Sequence, residues 1–233
     1  MKFPKHSLFV ALAASACALA VAAEDAWTPL FNGKDSTGWK NPYDFGKVEV
    51  VDNEIHLTAS KKFFLVTEKT YSDFIFEGEV HLPEGPANSG FMFRANVEPG
   101  KVYGYQAEVD GDENRGWSGG LYDEGRRGWV NPTHKKRTKD KELAKTAEET
   151  QAAMAKLKDT LKRNDWNKYR IECKGDHIQI FVNGVKTTDL RDSLDSEGHI
   201  GIQHHGEEGA TYRFRNLRIQ ELPQEEELPD EEM

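Results

Sequence analysis

The feature that most narrows the fold is an alternation of apolar and polar residues with period two, in short runs separated by Gly, Asn and Asp. Successive side chains of an extended strand point to opposite faces, so each run makes a strand with one buried face. Phe74, Phe76, Gly78, Val80 and Leu82 share one face against Ile75, Glu77, Glu79 and His81. Phe91, Phe93 and Ala95 alternate with Gly90, Met92 and Arg94, and Tyr103, Tyr105, Ala107 and Val109 with Gly104, Gln106, Glu108 and Asp110. Tyr169, Ile171 and Cys173 and then Ile178, Ile180 and Val182 continue the pattern, and Asn183-Gly184 fits the two positive-φ positions of a type I′ hairpin. Runs over 199–205 and 212–219 close the domain. Antiparallel strands of this kind bury one face and leave the other to solvent, which predicts an all-β, two-sheet antiparallel jelly-roll sandwich.

The outward faces of these runs concentrate Glu77, Glu79, His81, Arg94, Gln106, Glu108, Asp110, Gln203 and His205. If the strands are neighbours, one sheet carries a polar, titratable surface suited to a hydrophilic ligand such as a sugar. One segment breaks the pattern. Residues 138–163 are rich in Ala, Lys, Glu and Leu, lack Gly and Pro, and place Leu143, Ala147, Met154, Leu157 and Leu161 on one helical stripe. The expectation is an inserted amphipathic helix of roughly 37 Å. It either packs along the sandwich, covers the site as a lid, or binds a protein partner.

The chain ends carry their own signals. Lys2 and Lys5 precede an apolar, Ala-rich stretch over 8–19, too short to span a bilayer, and Ala20-Val21-Ala22-Ala23 offers small residues for cleavage before Ala23 or Glu24. This reads as a signal peptide over 1–23 and predicts export to the periplasm or the extracellular space. Ala14-Ser15-Ala16-Cys17 is a loose lipobox, so lipid anchoring at Cys17 is the alternative. Soluble processing leaves Cys173 alone, which excludes an intramolecular disulfide. Residues 221–233 hold seven acids and no base, and are expected to be a solvated, disordered tail. Loss of Lys2 and Lys5 takes the net charge from −9 to −11; the tail holds −7 of it, leaving about −4 to residues 24–220. That balance selects no substrate, and no basic stripe with interleaved aromatics points to nucleic acid.

Several blocks resemble a known family. They are Leu30-Phe-Asn-Gly-Lys-Asp-Ser-Thr-Gly-Trp39, Asn88-Ser-Gly-Phe-Met-Phe-Arg94, Gly104-Tyr-Gln-Ala-Glu-Val-Asp110 and Trp117-Ser-Gly-Gly-Leu-Tyr-Asp-Glu-Gly-Arg-Arg-Gly-Trp129. Trp166-Asn-Lys-Tyr-Arg170, Val182-Asn-Gly-Val185, Gly201-Ile-Gln-His-His-Gly206 and Phe214-Arg-Asn-Leu217 follow in order. Together they resemble the 3-keto-disaccharide hydrolase domain family, across about residues 27–220. The resemblance implies a concanavalin A-like jelly roll acting on glycosides whose glucose ring carries a ketone at carbon 3. The 138–163 helix departs from the family's pattern.

Such a sugar asks for a base at carbon 2, a cation or metal for the enolate oxygen, and an acid for the departing glycosidic oxygen. Glu108 or His205 is the candidate base, Arg94 the candidate oxyanion support, and Asp110 an orienting group or metal ligand. Substrate contacts are expected from Asn88, Gln106, Trp117, Tyr122, Glu124, Arg126, Arg127 and Gln203, with Arg126 and Arg127 alternatively pairing with Asp123 and Glu124 to brace their loop. Trp117 and Trp129 stack on sugar or pack the rim. A divalent metal would draw on His205 with Glu108 or Asp110; His204 shares the parity of Ile200 and Ile202 and reads as structural. The segment Glu108-Val-Asp110-Gly-Asp-Glu113 also matches the E-x-D-x-x-E strand of jelly-roll glucanases, but a turn at Gly111 would redirect Glu113. The competing classes are a non-catalytic carbohydrate-binding module and an envelope interaction protein that uses the helix and tail.

Overall fold

The computed structural model describes residues 26–85, 87–112, 115–133, 137–139, 141 and 147–223. The expected signal segment over 1–23 with Cys17, Glu113, and positions 224–233 of the acidic tail lie outside the described residues. In chain order the elements are β1 (Thr28–Pro29), β2 (Trp39–Lys40), β3 (Lys47–Val51), β4 (Glu54–Thr58), β5 (Phe63–Tyr71), β6 (Phe74–His81) and β7 (Asn88–Glu98). Next come β8 (Lys101–Asp110), β9 (Leu121–Glu124), β10 (Gly128–Asn131) and the helix α1 (Ala147–Leu157). The strands β11 (Asn167–Lys174), β12 (His177–Val182), β13 (Val185–Arg191), β14 (Gly198–His204) and β15 (Thr211–Glu221) finish the fold.

Two antiparallel sheets form. One has the order β13-β12-β11-β6-β15-β4-β3 with β1 added on β15; the other runs β10-β9-β8-β7-β14-β5-β2. Their facing apolar rows make the core. Phe91 of the second sheet lies 5.2 Å from Tyr169 and 5.8 Å from Phe214 of the first, ring centre to ring centre. The all-β sandwich expected from the period-two runs is what the chain forms.

The pairing corrects one expectation. Glu77, Glu79 and His81 sit on β6, in the sheet that does not contain β7, β8 and β14, so the polar outward faces belong to two surfaces. Glu77 there meets Arg218 and, at 2.9 Å, Lys168, while Glu79 meets Arg215 at 2.7 Å. Parity along one strand cannot report which sheet a strand joins.

The inserted helix is also shorter than expected. Thr138 bridges to Gly128 and its hydroxyl donates to the Trp129 carbonyl at 3.0 Å, which holds the segment's start extended. At the other end the Thr160 amide and hydroxyl both donate to the Leu157 carbonyl, at 3.1 and 2.7 Å, closing the helix in a turn. Leu157 and Leu161 are buried and Met154 is half-buried; Leu143 and the Ala147 side chain lie outside the described residues. The helix rests on Gly116, where a β-carbon would stand 2.1 Å from the Met154 carbonyl oxygen. The insertion therefore packs against the loop that leads into Trp117.

Candidate functional site

The outward face of the seven-stranded sheet carries a polar cavity of about 270 Å³. Five strands build it. Asn88 comes from β7, Gln106 and Glu108 from β8, Tyr122 and Glu124 from β9, Trp129 from β10 and Gln203 from β14, while Lys62, Arg115, Trp117, Arg137, His205 and Glu207 come from the flanking loops. Six of the residues expected to contact substrate meet here, together with Glu108 and His205. Sequence parity works where strands run straight.

Glu108 is held at the cavity floor. Its backbone N–H donates to the Gly120 carbonyl at 3.0 Å, and its carbonyl accepts from the Gly119 N–H at 2.8 Å and from the Tyr169 hydroxyl of the other sheet at 2.9 Å. The side chain is buried, with Oε1 accepting from Asn88 Nδ2 and Oε2 from Gln106 Nε2 at 2.8 Å. Burial pushes its carboxyl up to about 7; the Asn88 bond opposes this, Asp110 adds to it, and the Gln106 bond and Arg115 oppose it. Register places Gly90 opposite Glu108, and a β-carbon there would stand 2.4 Å from Gln106 Cδ. The glycine leaves the space that Gln106 occupies.

Around this floor the charges are mostly matched. Lys62 Nζ meets Glu124 Oε1 at 2.6 Å, and His205 Nδ1 meets Glu207 Oε1 at 2.8 Å. Arg115 donates to Asp110 Oδ1 at 2.8 Å. The Arg115 and Arg137 guanidinium groups each lie 4.5 Å from the Trp117 ring centre, and the Trp117 and Trp129 rings are 4.9 Å apart at 59°. Tyr122 packs edge-on to Trp129 at 5.4 Å. The arrangement joins a buried carboxylate near its titration point, two guanidinium groups and an aromatic wall, a combination suited to proton abstraction from a polar ring with stabilisation of the resulting anion.

Four expected residues sit elsewhere. Arg94 is no oxyanion support: β7 bulges between Phe93 and Asn96, Arg94 takes φ +45°, and its guanidinium turns out of the alternation. It donates to the carbonyls of Ser72, Gly175 and Asp195 at 2.8, 2.7 and 3.2 Å and to Asp73 at 3.0 Å, tying three loops together. Arg126 and Arg127 are bracing residues rather than cavity contacts. Both grip the buried Asp123, at 2.8 and 2.6 Å, and reach to Asp195 and Asp192. Asp110 stands one step behind the cavity, where it fixes Arg115. Among the described residues no group of three His, Cys, Asp or Glu side chains is placed to hold a metal ion. His204 is buried between Phe63 and Tyr212, its Nε2 meeting the Ala59 amide and Ala210 carbonyl, so it does not join His205 in a ligand set. β8 ends at Asp110, which removes the extended E-x-D-x-x-E strand a glucanase needs.

Sequence reasoning missed Arg115, Arg137, Lys62 and Glu207. All four lie in loops, where no periodicity reports facing; the proximity of Glu207 to His205 was the one available signal.

The fold is shared with carbohydrate-associated proteins. A carbohydrate-binding module, CBM66, from Bacillus subtilis superposes with a TM-score of 0.57 at 20% identity, covering 79% of this chain and 96% of that one. A candidate glycosyl hydrolase from Parabacteroides distasonis gives 0.57 at 20% identity, over 85% and 100% of the two chains. A Bacillus subtilis protein of unknown function with a galectin-like fold gives 0.52 at 15%, over 84% and 94%. No curated protein matches the sequence. Residues 26–220 match the 3-keto-α-glucoside-1,2-lyase-like domain, and this chain belongs to that carbohydrate-active family.

Proposed function

We propose that the protein is an exported enzyme that cleaves 3-keto-glycosides, with Glu108 as the base. The observation that carries this is a buried carboxylate whose proton affinity sits near neutrality, set in a polar cavity that Arg115, Trp117 and Trp129 also line. A base of that strength is matched to removing an acidic carbon-bound proton. Glu108 takes the hydrogen from carbon 2, and its bonding pair enters the ring as an enolate whose charge rests on the carbon 3 oxygen. Arg115, fixed by Asp110, is the cation for that oxygen, in the role first expected of Arg94. The enolate then collapses to the ketone, a carbon 1–carbon 2 double bond forms, and the glycosidic oxygen leaves with a proton from His205. Glu207 accepts from His205 Nδ1, which leaves Nε2 to exchange that proton. Addition of water across the double bond completes net hydrolysis.

The test is turnover of a 3-keto-glucoside against its unoxidised parent. Cleavage of the keto form alone, rising with pH through about 7 and lost on Glu108→Gln, is the expected result. Tight binding without turnover would instead make the protein a carbohydrate-binding module.

A further inference from the structure

Gln203 is 1% exposed, lines the cavity, and has one atom with no hydrogen-bond partner, its Oε1. The orientation of that amide is not arbitrary. An ionised carboxylate only accepts, so both amides touching Glu108 must present their NH₂ groups to it. Gln106 therefore turns its Oε1 away, towards Gln203, whose Nε2 donates to it at 3.2 Å. The chain Gln203→Gln106→Glu108 is thus polarised end to end, and its free terminus is an acceptor buried in the wall of the site. Leaving a buried acceptor empty costs about 1–3 kcal/mol, so a donor from the ligand is the natural completion.

We infer that Gln203 is a positioning and specificity residue: its Oε1 accepts the hydrogen of a hydroxyl on the substrate ring and, through Gln106, couples recognition of that hydroxyl to the ionised state of Glu108. The ligand class is a polyhydroxylated ring rather than an apolar ketone. When Glu108 takes up a proton, the same three groups can reverse, with Glu108 donating to Gln106 and Gln106 to Gln203. The terminus then presents N–H to the substrate. A ligand hydroxyl donating to Gln203 Oε1 opposes that reversal and holds Gln106 in the orientation that favours the carboxylate, so removing Gln203 frees Gln106 to turn its oxygen towards protonated Glu108.

This inference rests on Glu108 being the base, and the experiment separates the two. A series of monodeoxy and mono-O-methyl 3-keto-glucosides is assayed with the wild type and with Gln203→Leu. For one ring position the deoxy and O-methyl analogues are expected to lose about 10- to 100-fold in kcat/KM with the wild type. Gln203→Leu is expected to erase that discrimination and to move the acid limb of the kcat profile, which reports the enzyme–substrate complex, to higher pH. A side chain that only fills space would leave both unchanged. Wild-type turnover with a flat deoxy series overturns the Gln203 role and leaves the enzyme reading intact. Absence of any turnover overturns the enzyme reading. Binding of the unreactive sugars by the wild type and by the variant then decides the hydroxyl contact, and equal affinities across the series refute it. A wild-type deoxy series needs no variant, so a misfolded Gln203→Leu protein does not shield the proposal.

Discussion

Glu108 is a carboxylate removed from water with neutral amides as its direct hydrogen-bond partners, and that cost has a pH signature. Its folded-state affinity for protons is raised, to about 7 from an ordinary 4.5. The native state then holds a proton that the unfolded chain releases, so the stability this group contributes is present below about 4.5 and lost as pH rises through 7. The difference in unfolding free energy between wild type and Glu108→Gln should therefore drift against the wild type from pH 5 to 8. Denaturant titrations at several pH values read this, and a constant offset would refute the shift. Arg94 makes the opposite kind of claim. Four oxygen acceptors surround a guanidinium that is 1% exposed, and Arg94→Met strands them. A loss of about 3–5 kcal/mol is expected on chemical denaturation, while kcat of the folded fraction changes by less than about twofold. A large fall in kcat at unchanged stability would return Arg94 to the catalytic set.

At the scale of elements, the site depends on how closely neighbouring backbones approach. Gly90 on β7 is the clearest case, because the atoms a β-carbon would meet belong to the buried Gln106 side chain that bonds Glu108. Gly90→Ala should cost about 1–3 kcal/mol in stability and lower kcat/KM roughly 100-fold, since Gln106 leaves Glu108. Thermal melts alongside kinetics separate the two effects. Gly116 differs, since there the obstruction is the α1 backbone itself, at Met154 and Lys158. Gly116→Val should cost about 2 kcal/mol and loosen the loop carrying Arg115 and Trp117, raising KM as it does so. An unchanged KM would mean that α1 does not support the site.

For the molecule as a whole, the two sheets share one core without a covalent tie. Cys173 is fully buried, and burial pushes its thiol up to about 12. The melting temperature should be indifferent to reductant, and Cys173 should react with a thiol reagent only after unfolding. Export is the second expectation at this scale. Protein recovered outside the cytoplasm should begin at Ala23 or Glu24 by intact mass; a lipidated species beginning at Cys17 would establish anchoring instead.

The amino-acid sequence by itself determined the strands, their buried faces and most of the cavity floor. Period-two alternation is a local property, and Asn88, Gln106, Glu108 and Gln203 lie on straight stretches where parity and facing agree. Their family blocks could be read for the same reason. Only the tertiary structure decided the rest. The bulge that turns Arg94 away shifts pairing by one residue and leaves no mark in hydrophobicity. Membership of β6 in the opposite sheet separated Glu77 and Glu79 from the site, because sheet assignment depends on long-range pairing. Arg126 and Arg127 went to Asp192 and Asp195, more than sixty positions away, and not to substrate. Arg115 entered the cavity from a loop, where side-chain direction follows from three-dimensional closure and not from any repeat.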